Sequence, residues 1–287
     1  MTCLSLFATG LALAAPVKGM DAPVPAYPDV LTIDSELTVT RVDHGIYIFQ
    51  SQPWDANSLL VVNSNGDAVL VDTPALPRTT RTLLDWAAKV LGIVPKAAVN
   101  SHYHMDASGG NQVLKTRRIP IYASAQTRQM LADRGNAYRD ELIGLFEKHP
   151  SVREGLSEIK STLPDETIAT HGTREFHAGM LAFRLQHHGP THSPDHISVY
   201  FPKERVLYGG CAVRHGDTLG NIREAKNFSN WRHAILQMQA FKPQVVVPGH
   251  DSNYTPELLN NTVKLLDDQI RHSAASVGAV TAPKKTL

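Results

Sequence analysis

The chain has 287 residues, 42% of them hydrophobic and 19% charged, which is material for one large domain or two intimately packed halves. Its 28 Lys and Arg offset 27 Asp and Glu to a net charge of +1, and no run of five or six like charges occurs. That balance argues against nucleic acid and anionic membrane as partners.

Residues 1–15 are apolar and end in Ala12-Leu13-Ala14-Ala15, although no Lys or Arg precedes the run. This resembles the hydrophobic stretch and small-residue cleavage site of an export signal, and it is too short to span a bilayer. The expectation is export to the periplasm. Cys3 would then leave with the signal, and Cys211 would be the single thiol of the mature protein, so no intrachain disulfide is expected. A lone thiol in an oxidising compartment is protected by burial or by metal ligation, and both readings stand at this point.

Residues 20–28 hold three prolines and read as an irregular leader. Strand-forming runs at 37–42, 46–49, 58–62 and 68–72, punctuated by turn residues, predict an antiparallel meander with a short turn at 52–57. Residues 79–91 carry apolar side chains at helical spacing, with Trp86 on the core face. A buried strand at 97–100 then delivers Ser101-His102-Tyr103-His104-Met105-Asp106. In extended backbone His102 and His104 share a face, with Asp106 one step further, and two imidazoles and a carboxylate so placed form a metal-binding cluster.

A short helix starts at Gly109-Gly110-Asn111, a strand follows at 120–123 and a helix at 125–134. Residues 135–161 read as an inserted helical hairpin broken by Pro150. Its apolar residues include Leu142, Leu145 and Phe146, and no chemistry is assigned to it. Strands are expected at 167–176, 181–187, 197–201, 206–209 and 245–248, helices at 231–240 and 256–273, and a frayed tail at 274–287. Two sheets, each covered by helices, make an α+β fold, a four-layer αβ/βα sandwich over 31–273, with loops of both halves meeting at one edge.

Three later segments put a histidine or cysteine at the exit of an apolar strand beside glycine. They are Gly189-Pro190-Thr191-His192-Ser193-Pro194-Asp195, Gly209-Gly210-Cys211 and Pro248-Gly249-His250. With His102, His104 and Asp106 they supply six potential ligands, which divide into two three-ligand sites with positions left for water and substrate. Imidazole with thiolate favours zinc over magnesium or calcium, with iron open if the cysteine is oxidised. The other ten histidines, His196 among them, read mostly as surface or loop residues.

The ordered set HxHxD, GPTHSPD, GGC and GH resembles the class B, or metallo-β-lactamases, and among them the first, dizinc subclass. The resemblance runs from about Val39 to His250. It implies two zinc ions, the first held by His102, His104 and His192 and the second by Asp106, Cys211 and His250. It also implies a β-lactam as substrate, with Asp106 orienting the nucleophile. Asn221, in Leu219-Gly220-Asn221, would bind substrate and stabilise the oxyanion. Arg214 stands where many relatives carry a lysine for the substrate carboxylate; it keeps the charge with a different reach. Asp72 is the candidate for fixing a histidine tautomer from behind.

Ala107 follows Asp106 where glyoxalase-like hydrolases, RNA-processing nucleases and the third lactamase subclass place a histidine, and His102 stands where the monozinc subclass has asparagine. The short 52–57 turn and long helical insertion resemble a minority branch of the first subclass, and His196 replaces a common asparagine. The expectation is a monomeric zinc-dependent β-lactam hydrolase. The alternatives are a hydrolase of another ester, thioester or phosphodiester on the same fold, and a periplasmic zinc-binding protein without turnover.

Overall fold

The computed structural model describes residues 29–280, with side chains described for 30–273. The expected export segment lies outside the described residues. Thirteen strands form two sheets among the described residues. In the first, β2 (Leu37–Asp43), β3 (Ile46–Ser51), β4 (Ala56–Val62) and β5 (Ala68–Val71) run as the expected antiparallel meander, which an edge strand that was not expected, β1 (Asp29–Asp34), extends by pairing with β2. The sheet continues in parallel through β6 (Ala97–Val99), β7 (Ile121–Ser124) and β8 (Glu166–Ile168). The second sheet has the order β13-β12-β11-β10-β9, from β13 (Val245–Pro248), β12 (Val206–Gly210), β11 (Ile197–Phe201), β10 (Leu181–His187) and β9 (Thr173–Ala178).

Alternation along the strands builds the layers. On β3, Ile46 and Ile48 face the second sheet and pack with Phe183, Val199 and Val247, while Tyr47 and Phe49 face helices. Those helices are α1 (Pro77–Trp86), whose chain runs on as a wider turn over Ala87–Leu91, and α3 (Asn111–Thr116), after the single turn α2 (Met105–Ser108). Trp86 packs against Tyr47 and Phe49, a core residue as expected. The outer face of the second sheet is covered by α6 (Phe228–Ala240) and α7 (Glu257–Val280) through Trp231, Ile235, Leu258 and Leu266. The result is the expected αβ/βα sandwich, covered on both sides, which is why the strands read as nearly continuous apolar runs.

Four details differ from expectation. The run at 167–176 is two strands: Thr167 pairs with Ala123 in the first sheet, and Thr173 pairs with Gln186 in the second. The chain changes sheets at the bend holding His171, at φ 56°. Helix α4 (Ala125–Leu145) runs unbroken through Gly135, where a Cβ would stand 2.2 Å from Ser161 Oγ; glycine lets the helix lie close against the following segment. Pro150 breaks nothing, since it starts α5 (Pro150–Ser157), where its missing N–H costs no bond. Helix α7 continues to Val280, past the point where a frayed tail was expected, and 281–287 lie outside the described residues.

The crossovers from β5 to β6, β6 to β7 and β7 to β8 place three parallel strand ends along one edge, where ligands collect in such sheets. Asp72 follows β5, the Ser101–Asp106 segment follows β6, and on the second sheet Cys211 follows β12 and His250 follows β13. Asn57 clamps the two sheets there. Its N–H donates to Gly249 O at 2.8 Å, and its Nδ2 donates to Pro248 O at 3.1 Å and Asp251 O at 2.8 Å.

Candidate metal centre

The six expected ligands meet at this edge, though not by strand periodicity. His102 and His104 lie in an irregular segment, and Asp106 sits in the first turn of α2, so a turn rather than a pleat aims them. His102, His104 and His192 bring one ring nitrogen each within 4.8 Å of one another, and His102, Asp106 and Cys211 bring donor atoms within the same distance. His250 completes the second group, with Nε2 3.2 Å from Asp106 Oδ2 and 3.5 Å from Cys211 Sγ. Gly249 makes room for the thiol: a Cβ there would stand 2.4 Å from Cys211 Sγ. Cys211 is buried and in no disulfide.

The donors are held from behind. Asp72 accepts from Ser101 N–H and Oγ–H, both at 2.6 Å, and Ser101 Oγ lies 2.9 Å from His102 Nδ1. Burial pushes the Asp72 carboxyl up to about 8 against these two donors. With its own hydrogen donated to Asp72 Oδ2, Ser101 Oγ is left to accept from His102 Nδ1–H, and the Nε2 lone pair faces the cluster. The expected tautomer role of Asp72 is thus exerted through Ser101.

His104 Nε2 lies 3.3 Å from Glu224 Oε2, which leaves Nδ1 for the site. Glu224 also accepts from Tyr103 OH at 2.6 Å and pairs with Arg134 at 3.1 Å. Burial raises its carboxyl, but the bonds from His104 and Tyr103 outweigh this and hold it at about 2. The His104 ring stacks on Tyr138, centroids 4.9 Å apart. Sequence reasoning missed Glu224 and Tyr138; the only trace was a carboxylate three positions after Asn221.

His192 is fixed through its loop. Asp195 accepts from Ser193 Oγ at 2.7 Å and Thr127 Oγ1 at 2.9 Å, and its carbonyl accepts from Ser124 Oγ at 2.9 Å, which ties the loop to the start of α4. His250 Nδ1 lies 2.9 Å from the carbonyl of Trp54 in the short turn between β3 and β4, so Nδ1 carries the proton and donates to it.

Burial, then His104, pushes His102 down to about 3, and burial, then Arg214, pushes His192 well below its ordinary value; both rings are neutral donors. In the other group charges pair. Asp106 is lowered despite burial by His250 and His102, and His250, which burial alone would lower, is raised to about 11 by Cys211 and Asp106. Burial, reinforced by Asp106, raises the Cys211 thiol. His102 Nε2 is buried without a hydrogen-bond partner, 3.7 Å from Asp106 Oδ1. A buried lone pair among imidazoles, a thiol and a carboxylate is the donor set that suits zinc.

Of the other histidines, His187, His188 and His196 are buried, contrary to a surface reading. His188 is satisfied by Gln237 and Ser198. His196 packs 5.5 Å from the His102 ring with neither nitrogen bonded.

Beside the ligands lies a pocket of about 440 Å³, lined on its polar side by His104, Asp106, His192, Arg214, Asn221 and His250. Asn221 Oδ1 accepts from Arg223 N–H at 3.1 Å, which leaves its amide NH₂ for a ligand. Arg214 Nη2 donates to His192 Nδ1 at 2.8 Å, and its buried Nε has no partner. It is therefore turned toward the histidines rather than standing free over Cys211, and burial lowers its pKa. Among the described residues, no helix is long and apolar enough to cross a membrane.

The metallo-beta-lactamase superfamily model matches residues 52–250, a span that includes all six expected ligands. The chain belongs to this superfamily. A metallo-beta-lactamase of Chryseobacterium indologenes, IND-1, is 30% identical over 224 residues, 74% of this chain and 82% of that protein. A metallo-beta-lactamase type 2 of Pseudomonas aeruginosa is 27% identical over 236 residues, 79% of this chain and 83% of its own length. The solved structure of a metallo-beta-lactamase from Pontibacter korlensis matches with a TM-score of 0.60 at 26% identity, over 85% of this chain and 100% of that one. Metallo-beta-lactamases depend on zinc, and the donor set of this superfamily member fits that ion.

Proposed function

We propose that the chain is an exported, periplasmic zinc-dependent hydrolase that opens the β-lactam ring of carbapenems, cephalosporins and penicillins. The observation that carries this is the convergence of six donors, with an unpartnered His102 Nε2, beside a pocket that four of them, His104, Asp106, His192 and His250, line together with Arg214 and Asn221. His102, His104 and His192 would hold one zinc ion, and Asp106, Cys211 and His250 a second. When bound, zinc supplies a Lewis acid and lowers the pKa of water to about 7.

The chain's own residues do the rest. Asp106 lies between the two donor groups, 3.7 Å from His102 Nε2 and 3.2 Å from His250 Nε2, where a carboxylate can orient the attacking water. Asn221, its Oδ1 already bonded, turns its NH₂ toward the carbonyl oxygen on which charge develops. Arg214 grips the carboxylate beside the ring nitrogen with its unpartnered Nε and with the Nη2 that it trades from His192. The relatives' names as metallo-beta-lactamases support this reading.

Turnover by the purified mature chain, loaded with zinc, tests it. Hydrolysis of a carbapenem or cephalosporin that a chelator abolishes and zinc restores is expected. Absence of turnover on a panel of all three drug classes, with zinc content verified, overturns it.

A further inference from the structure

The helical insertion supplies a wall of the pocket. Tyr138, Leu142, Leu145 and Phe146 of the α4 segment line it together with Trp54 and Met105. Leu142 and Phe146 follow Tyr138 at four-residue steps, and Leu145 lies one position before Phe146, so they form one face. The wall is anchored: Leu142 is buried with Leu76, Leu156 and Ile159 in a cluster that includes Met105 from the metal-binding loop. Trp54 meets Phe146 edge-on, ring centroids 5.6 Å apart, so the short turn after β3 rests against the insertion. Leu145 is the exception to burial, 71% exposed, an apolar side chain held at the mouth of a pocket.

The lining therefore joins two kinds of surface, a guanidinium, an amide and the candidate metal ligands, and an aromatic and aliphatic face that abuts them where Tyr138 stacks on His104. A β-lactam has matching asymmetry. Its carboxylate lies next to the ring nitrogen, and in penicillins and cephalosporins an acylamino substituent leaves the ring from the carbon on the far side of the carbonyl. With the carboxylate at Arg214, that substituent points away from Arg214. In carbapenems the same carbon carries only a small hydroxyalkyl group.

We propose that Tyr138, Leu142, Leu145, Phe146 and Trp54 form a specificity wall that selects β-lactams bearing an aromatic acylamino substituent. This rests on the β-lactam reading of the site. Burying one aromatic ring against such a face gives a preference of roughly tenfold or more.

The test compares the zinc-loaded parent with Leu145→Ser/Phe146→Ala on benzylpenicillin and on a carbapenem, with zinc content measured in each. The ratio of kcat/KM, benzylpenicillin over carbapenem, is expected to fall roughly tenfold, chiefly through KM, with zinc content retained. Leu145→Ser alone, at an exposed position that folding does not depend on, should lower the ratio in the same direction. Met180→Ser, at a 76% exposed residue outside the pocket lining, should leave it unchanged. An unchanged ratio in the double variant, or an equal loss on both substrates, overturns the wall.

Calorimetric binding of phenylacetylglycine against acetylglycine separates this from the fate of the hydrolase reading. Tighter binding of the aromatic compound to the parent, lost in the double variant, supports the wall even if no β-lactam is turned over. Equal binding of the two by the parent overturns the wall even if β-lactams are hydrolysed.

Discussion

The two donor groups are built on different principles. In the first group the rings are held by side chains around them: His102 by Ser101 before Asp72, His104 by Glu224, and His192 through the loop that Asp195 ties down. Asp106, Cys211 and His250 are bonded chiefly to one another, and His250 Nδ1 reaches the backbone carbonyl of Trp54. The first group is aimed by its surroundings, and the second by packing, above all the space that Gly249 leaves for the thiol. Losing a ligand should therefore empty the second site selectively, whereas the first site should be adjustable by residues that never touch the ion.

The largest expected effect breaks the comparison at the second group. Cys211→Ser should lower bound zinc from two equivalents to one and reduce kcat/KM by more than the roughly 100-fold that loss of an outer partner brings. Gly249→Ala should reproduce the zinc loss with all six ligands retained, because the new Cβ meets Sγ. Metal analysis after dialysis, together with turnover, checks both. Unchanged stoichiometry in Cys211→Ser would remove the thiol from the site.

Next in size, Ser101→Ala and Glu224→Gln sharpen the account of the first group. Each should weaken zinc binding at the first group roughly 10- to 100-fold, with Ser101→Ala the more severe because it also strands buried Asp72. Competition with a chelating dye reads this directly. Equal weakening of both zinc ions would show general loosening instead.

The smallest effect lies away from the metals. Arg78 of α1 binds Glu36 through Nε and Nη2, at 2.9 and 2.6 Å, and also donates to Ser151 O at 3.1 Å. Glu36→Gln should cost roughly 1 kcal/mol in denaturant unfolding, discounted because the pair is partly exposed. The Arg78 guanidinium holds the Glu36 carboxyl below its usual value near 4.5 against a smaller effect of burial. Its contribution is therefore full above that value and is lost as pH falls through the lowered folded value. The stability difference between parent and variant should shrink in acid, with zinc binding at neutral pH unaffected.

The convergence of the six donor residues was legible because they lie in the segments that follow apolar strands, beside glycine or in a loop, a pattern local in sequence. The strands were legible for the same reason, though the split of 167–176 between sheets was not, since β8 and β9 are told apart only by partners far along the chain. The continuity of α4 was hidden because glycine argues against a helix interior, and the reason for that glycine, Ser161 packed opposite it, lies in another segment. Glu224, Tyr138 and Trp54 carried no motif. They act through the space they share with His104 and His250, which spacing along the chain does not encode.

Helix α4 touches nearly every part of this edge. It begins on the His192 loop through Ser124, pairs with Glu224 through Arg134, lays Tyr138 on His104, and ends in the apolar wall. For an inhibitor, this makes the wall a handle on the metals: a bulky group wedged against Leu142 and Phe146 presses on the helix that braces His104. For an evolving population it is a constraint. Substitutions that widen the wall for larger drugs must leave the Tyr138 face in register, so breadth of substrate and firmness of zinc binding are inherited through the same few turns of helix.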